Sequence, residues 1–178
     1  MYTTLNFEIS TMNEINRSVL YHEAGHAIIA RRLGIEIKKI VIGYDEEEDC
    51  EGYVETATSF YSVNIFISFA SRRYMNSFLN EVRCYVAGYA SQLVFAPKRA
   101  EKKQSARDFE KAGLFCAYAL VTRPIYAHRE EVPEVEVILE EVKEMLREPK
   151  TRAELFKLAR ALVRRPEMTG EEIDELLR

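Results

Sequence analysis

The residues best suited to chemistry lie together near the start of the chain, in the segment His22-Glu23-Ala24-Gly25-His26. This segment fits the pattern H-E-x-x-H. Residues four apart on a helix lie one turn apart on the same face, so the two imidazoles can converge on one metal ion. Zinc suits such a site because it accepts nitrogen and carboxylate ligands in a tetrahedron and leaves one position open for water. The spacing therefore predicts one zinc ion per chain, with His22 and His26 as ligands.

Glu23 directly follows the first predicted ligand and is expected to project beside the metal. From there it can accept a proton from metal-bound water and return it to a leaving amine. Zinc lowers the pKa of its bound water to roughly 7, which makes hydroxide available at neutral pH. The pattern thus predicts hydrolysis by metal-activated water, with Glu23 as the catalytic base.

Both histidines fall on an otherwise apolar face of the predicted helix. The alternative interpretation makes them ordinary core residues and Glu23 a surface charge. In a chain with three histidines, H-E-x-x-H arises by chance on the order of one time in a hundred or fewer, which favours the metal site. Gly25 costs about 1 kcal/mol relative to alanine inside a helix, and it predicts a close approach by backbone or substrate. The residues of the apolar face are Ile15, Val19, His22, His26, Ile29 and Leu33.

A zinc site needs a third protein ligand, and the spacing of the residues leaves several candidates. Asp108 shares a mostly apolar helical stripe with Ala112 and Phe115, and an acid that faces a core should be paired or bind a metal. The alternative for Asp108 is a helix-start residue that forms a capping box with Ser105. From the pattern alone the two interpretations are equal. The weaker candidates for the third ligand are His128, Glu51 and Glu55.

The elements that must position these residues predict a mainly helical α+β fold. A capping box at Thr11 and Glu14 begins a helix that runs to about Leu33, where Gly34 ends it. A β-hairpin near the N-terminus follows, and then a C-terminal helical bundle. We predict a single domain over residues 1–178, with the metal site in 1–128 and a helical part in 129–178. The predicted strands are 35–42 and 52–56, and the predicted helices are 63–95 with a break near Ser71, 105–122, 134–146, 151–164 and 169–177.

Composition and charge exclude several classes of protein. The net charge is −4 with both signs interspersed, and without a basic stripe we expect no nucleic-acid partner. The three cysteines are widely spaced and form no CxxC pair, which favours a reducing compartment. The most apolar stretch, residues 60–70, is too short and too polar to cross a bilayer. The sequence therefore predicts a cytoplasmic protein without a membrane span.

Six segments, in order along nearly the whole chain, carry a resemblance to a known family. They are 21–27 (YHEAGHA), 52–54 (GYV), 86–95 (VAGYASQLVF), 105–108 (SARD), 161–163 (ALV) and 169–177 (TGEEIDELL). These segments resemble the peptidase domain of the FtsH-type, ATP-dependent zinc metalloproteases. The resemblance implies a zinc metalloendopeptidase that cleaves unfolded polypeptides, and it makes Asp108 the third zinc ligand. Because the peptidase domains of that family form rings, it also implies a homo-oligomer.

The sequence also departs from that family. It contains no G-x-x-x-x-G-K-[ST] phosphate loop, so a separate ATPase or unfoldase would have to deliver folded substrates. Ser91 and Gln92 stand where the family has paired glutamates, and the connection between residues 121 and 132 is reduced. The alternatives to a peptidase are a weak or inactive homologue that serves as a binding or assembly partner, and a zinc enzyme that acts on other bonds. For a peptidase, the predicted substrate-binding strand comprises Gly52, Tyr53, Val54 and Glu55, to which an extended peptide could add by main-chain hydrogen bonds.

Overall fold

The computed structural model describes residues 14–45, 50–57, 72–100, 105–122 and 133–178. Within these residues the chain forms six α-helices and one three-stranded antiparallel sheet, which confirms the predicted mainly helical α+β class. Thr11, the break near Ser71 and His128 lie outside the described residues. The elements are α1 (Glu14–Arg32), β1 (Ile37–Asp45), β2 (Cys50–Thr56), α2 (Arg72–Phe95), a 3₁₀ turn (Pro97–Arg99), α3 (Ala106–Thr122), α4 (Val135–Arg147), α5 (Pro149–Arg164), β3 (Glu167–Thr169) and α6 (Gly170–Leu177).

Helix α1 ends where the sequence predicts. The backbone N–H of Ile35 donates to the carbonyl of Ala30 at 2.9 Å, and that of Gly34 donates to Arg31 at 3.1 Å. Gly34 has a φ of 73°, the left-handed conformation that glycine adopts without strain. This pair of hydrogen bonds around a left-handed glycine is a Schellman motif. The chain is thereby turned from α1 directly into β1.

Helix α1 lies at the centre of the core, and small residues let α2 approach it closely. Ala24 and Ala27 are fully buried. A Cβ added to Gly25 would lie 2.5 Å from the Cβ of Ser91 and 2.7 Å from the carbonyl oxygen of Ala87. No real Cβ tolerates such distances, so the close approach predicted from Gly25 is confirmed. The approaching group is the helix α2.

Strands β1 and β2 form the predicted antiparallel hairpin, in which Val41 pairs with Tyr53 and Ile42 with Gly52. The structure adds a strand that the sequence did not predict. In β3, Met168 pairs with Ile40 and is buried, while its two neighbours are exposed. The strand order is β2-β1-β3, so β2 and β3 lie at the two edges of the described sheet.

The helices after residue 133 join the core that α1 and α2 form. Helix α4 packs on α2, and α5 packs on α1. Their fully buried side chains belong to the same hydrophobic cluster as those of α1. Helices α4 and α5 therefore fix the positions of α1 and α2 by packing against them, without contributing a side chain to the predicted metal site. The fully buried apolar residues of α4 and α5 are Ile138, Val142, Leu146, Leu155, Leu158, Ala159 and Leu162.

No helix in the described parts of the chain is both long enough and apolar enough to cross a lipid bilayer.

Helix α2 carries a buried acid, Glu81, whose side chain is 7% exposed. Burial raises the pKa of its carboxyl from the ordinary value of 4.5 to about 7. The folded protein therefore binds this proton more tightly than the unfolded chain does. The stability gained from the neutral carboxyl is fully present below pH 4.5 and is lost as the pH rises to about 7.

Replacing Glu81 by glutamine should therefore raise the free energy of unfolding at pH 8 by about 1–3 kcal/mol. At pH 4 the gain should vanish, because the carboxyl is then neutral in both states. Urea unfolding of the wild type and Glu81→Gln across this pH range measures the difference. Glu175→Gln, at an exposed helical position, is the control and should change little. A Glu81→Gln protein no more stable than the wild type at pH 8 would contradict the prediction.

Candidate metal centre

Three side-chain atoms from two distant parts of the chain converge on one point. His26 Nε2 lies 3.0 Å from His22 Nε2, and Asp108 Oδ2 lies 3.1 Å from His22 Nε2 and 3.5 Å from His26 Nε2. In a tetrahedral zinc site with ligands about 2.0–2.1 Å from the ion, two ligand atoms are about 3.3 Å apart. The three separations match that spacing, so the residues fit a single ion. In the described residues no other three His, Cys, Asp or Glu side chains form such a group.

Helix α3 delivers Asp108 to the histidines of α1. Asp108 lies in the first turn of α3, and its carboxylate is directed at the two histidine rings. The alternative in which Asp108 only caps a helix with Ser105 does not account for this direction, since the Ser105 hydroxyl lies near His22 and Gln92. Asp108 is therefore the third member of the group.

Neither Glu55 nor Glu51, the two weaker candidates that the structure describes, belongs to the converging group. The carboxylate of Glu55 accepts a hydrogen bond from Lys38 Nζ at 2.9 Å, and Glu51 is exposed. His128 lies outside the described residues. Among the described candidates, only Asp108 completes the group.

A backbone carbonyl sets the orientation of His26. His26 Nδ1 lies 2.7 Å from the carbonyl oxygen of Cys84 in α2. Because a carbonyl only accepts hydrogen bonds, Nδ1 carries the proton and donates it. In the neutral ring the lone pair is then on Nε2, which is the atom that faces His22 and Asp108. A metal-ligating histidine is held in this way in most metal sites.

Gly88 in α2 lies directly against the rings of His22 and His26, a role that the sequence did not predict. A Cβ at this position would lie 2.4 Å from His26 Nε2 and 2.5 Å from His22 Nε2. Helix α2 can therefore pass beneath the two rings only because residue 88 has no side chain. The available signal was a glycine inside a helix, which costs about 1 kcal/mol unless a close approach requires it.

Glu23 is buried, with 6% of its surface exposed, so the alternative that made it a surface charge is wrong. Its Cγ would lie 2.9 Å from a Cβ added to Gly52, which shows that β2 packs closely on this side chain. Burial raises the pKa of the Glu23 carboxyl to about 7, while His22 lowers it and Asp108 raises it. A carboxyl with a pKa near neutrality can both accept and return a proton at physiological pH.

The pKa of the Asp108 carboxyl is shifted in the opposite direction from that of Glu23. Burial disfavours its charged form, but the adjacent His22 and His26 side chains outweigh that effect and hold the pKa of the carboxyl below its usual range. Asp108 is therefore an anion at neutral pH. A carboxylate anion beside two imidazoles is a suitable ligand set for a divalent cation.

The predicted substrate strand begins beside Glu23. Gly52 packs against Glu23, and the residues that follow it continue along β2, an edge strand of the described sheet. Lys39 Nζ lies 5.1 Å from the centre of the Tyr53 ring. Val54 pairs with Ile40 of β1, so this part of β2 has β1 on one side. That Gly52, Tyr53, Val54 and Glu55 bind a substrate stays a prediction.

No model of a known protein family matches the sequence, and the search of curated proteins found no match either.

Proposed function

We propose that this chain is a zinc-dependent hydrolase in which His22, His26 and Asp108 hold the ion and Glu23 moves protons. More particularly, we propose a metalloendopeptidase of the FtsH type that cleaves unfolded polypeptides. The observation that carries the proposal is the convergence of the three ligand atoms within 3.5 Å of one another, beside a buried glutamate.

The proposed mechanism divides the work between the ion and the protein. A bound zinc ion would supply a Lewis acid that polarises the scissile carbonyl and activates water. Glu23 accepts a proton from the attacking water, which adds to the carbonyl carbon. Glu23 then passes this proton to the leaving amine nitrogen as the C–N bond breaks. The enclosed position of Glu23 supports this role, because burial keeps competing water away from the carboxyl.

The edge strand β2 supports a peptide as the substrate. An extended chain can add to a sheet edge through main-chain hydrogen bonds, which do not depend on its sequence. Gly52 packs against the Glu23 side chain, so a peptide that adds to β2 would run past the proton-transfer group. Only an unfolded segment can pair in this way. A separate ATPase would have to unfold any compact substrate, and assembly into a homo-oligomeric ring belongs to the same proposal.

Removal and return of the metal tests this function. We expect the protein to cleave a fluorescently labelled, permanently unfolded polypeptide, to lose this activity after dialysis against a chelator, and to regain it with about one equivalent of zinc per chain. Folded substrates should remain intact. Zinc-loaded protein that leaves unfolded substrates uncut would overturn the peptidase proposal and favour a binding or assembly module.

A further inference from the structure

Gln92 is a buried amide on α2 whose orientation is fixed by α1. The side chain is 2% exposed. Its Nε2 donates to Ser18 Oγ at 2.9 Å and to the Ser18 backbone carbonyl at 3.4 Å. The reverse orientation would bring the amide oxygen against a carbonyl oxygen, and two acceptors repel. Gln92 Oε1 is therefore directed the other way, where it lies 3.5 Å from the hydroxyl of Ser105.

The fixed amide determines how Ser105 uses its single proton. Ser105 is 1% exposed, and its hydroxyl lies between Gln92 Oε1 and His22 Nδ1, 3.5 Å from each. Because Oε1 only accepts, the hydroxyl proton is donated to Gln92. The Ser105 oxygen then presents its lone pairs to His22 and can accept a proton from Nδ1. Each contact is long for a hydrogen bond, so we expect the pair to orient His22 more than to stabilise the fold.

We propose that Gln92 and Ser105 are positioning residues that keep the proton of neutral His22 on Nδ1, so that its Nε2 lone pair faces Asp108 and His26. The inference rests on the proposed zinc site. It gives His22 the same arrangement that the Cys84 carbonyl gives His26. The Nε2 lone pairs of both imidazoles and the Asp108 carboxylate then face one point, and three acceptors without a proton between them favour a cation.

Ser91 provides a matched comparison on the same helix. It adjoins Gln92, and it is fully buried. Among the residues that the structure describes, its hydroxyl has no hydrogen-bond partner. Removing this hydroxyl therefore changes buried polarity as much as removing that of Ser105 does, but it breaks no connection to a histidine. Ser91→Ala thus separates a general packing effect from an effect on the metal site.

The test is the zinc affinity of four variants, measured by competition with a chromophoric chelator. Ser105→Ala and Gln92→Leu should each weaken zinc binding by about 10-fold or more, the range seen when partners of metal-ligating histidines are removed. Ser91→Ala should bind zinc as the wild type does. The double variant Ser105→Ala/Gln92→Leu should bind no more weakly than Ser105→Ala alone, because both residues act in series on His22.

Thermal unfolding of the metal-free variants supplies the control for folding. Ser105→Ala should unfold within a few degrees of Ser91→Ala, so that its loss of zinc affinity reflects the orientation of His22. If the wild type binds zinc but Ser105→Ala and Gln92→Leu bind it within twofold of the wild type, the positioning role is wrong. Additive losses in the double variant would also overturn it. A wild type without zinc affinity would instead refute the proposed function itself.

Discussion

Glu23→Gln should lower the rate of peptide hydrolysis by about 10²- to 10⁴-fold, the usual contribution of a general acid–base group. Glutamine has nearly the same shape as glutamate but cannot accept and return a proton. Zinc content should stay at the wild-type value, because Glu23 does not belong to the group of converging ligands, which is His22, His26 and Asp108. Initial rates on an unfolded substrate, measured together with metal content, check the prediction.

The folded state should tolerate Glu23→Gln. The side chain is buried and burial disfavours its charge, so a neutral amide should not destabilise the protein. Glu36→Gln, at an exposed position, is the matched control and should keep full activity. If Glu23→Gln cleaved as fast as the wild type, Glu23 would have no part in proton transfer and the proposed mechanism would fail.

Gly88→Ala should raise the zinc dissociation constant by more than about 100-fold, beyond the loss seen when a partner of a ligand is removed. The added methyl would lie 2.4–2.5 Å from ring atoms of both histidines. The two rings would therefore have to move, and their Nε2 atoms would no longer converge on one point. Overpacking of this kind costs about 1–3 kcal/mol. Zinc titration and thermal unfolding measure both effects.

Gly113→Ala is the matched control for Gly88→Ala. Gly113 lies inside α3, and within the described residues a Cβ there would meet no atom within 4 Å apart from its chain neighbours and the backbone of its own helix. This substitution should leave zinc binding unchanged and should stabilise the protein by up to about 1 kcal/mol, the helix preference of alanine over glycine. Equal zinc affinity in Gly88→Ala and Gly113→Ala would contradict the role assigned to Gly88, which is to leave space for the two histidine rings.

The sequence predicted the features that depend on local physics. The α1 helix and its end at Gly34, the β1–β2 hairpin and the three helices after residue 133 all follow from periodicity and from turn or cap residues. The pairing of His22 with His26 follows from the same source, because their spacing alone places both rings on one face of a helix. Such predictions require only neighbours in the sequence.

Features that depend on packing between distant segments could not be predicted from local sequence patterns. Asp108 lies 86 residues from His22, and an acid in the first turn of a helix has two equally reasonable uses. Strand β3 has three residues, too few for periodicity to be visible. No pattern in the sequence distinguishes Gln92 and Ser105 from other polar residues. Only the packing of α2 and of the start of α3 places Gln92 near Ser105 and Ser105 near His22. The resemblance to a known family pointed to Asp108, and the geometry of the three ligand atoms supports that choice.

We propose that two imidazoles of α1 and one carboxylate of α3 together bind a single divalent ion. Elemental analysis of extensively dialysed protein, for the wild type and for His22→Ala and Asp108→Ala, tests it most directly. We expect one zinc ion per chain in the wild type and only background zinc in either variant, with all three proteins folded. Wild-type protein free of zinc even after incubation with the metal, or variants that retain a full equivalent, would contradict the claim.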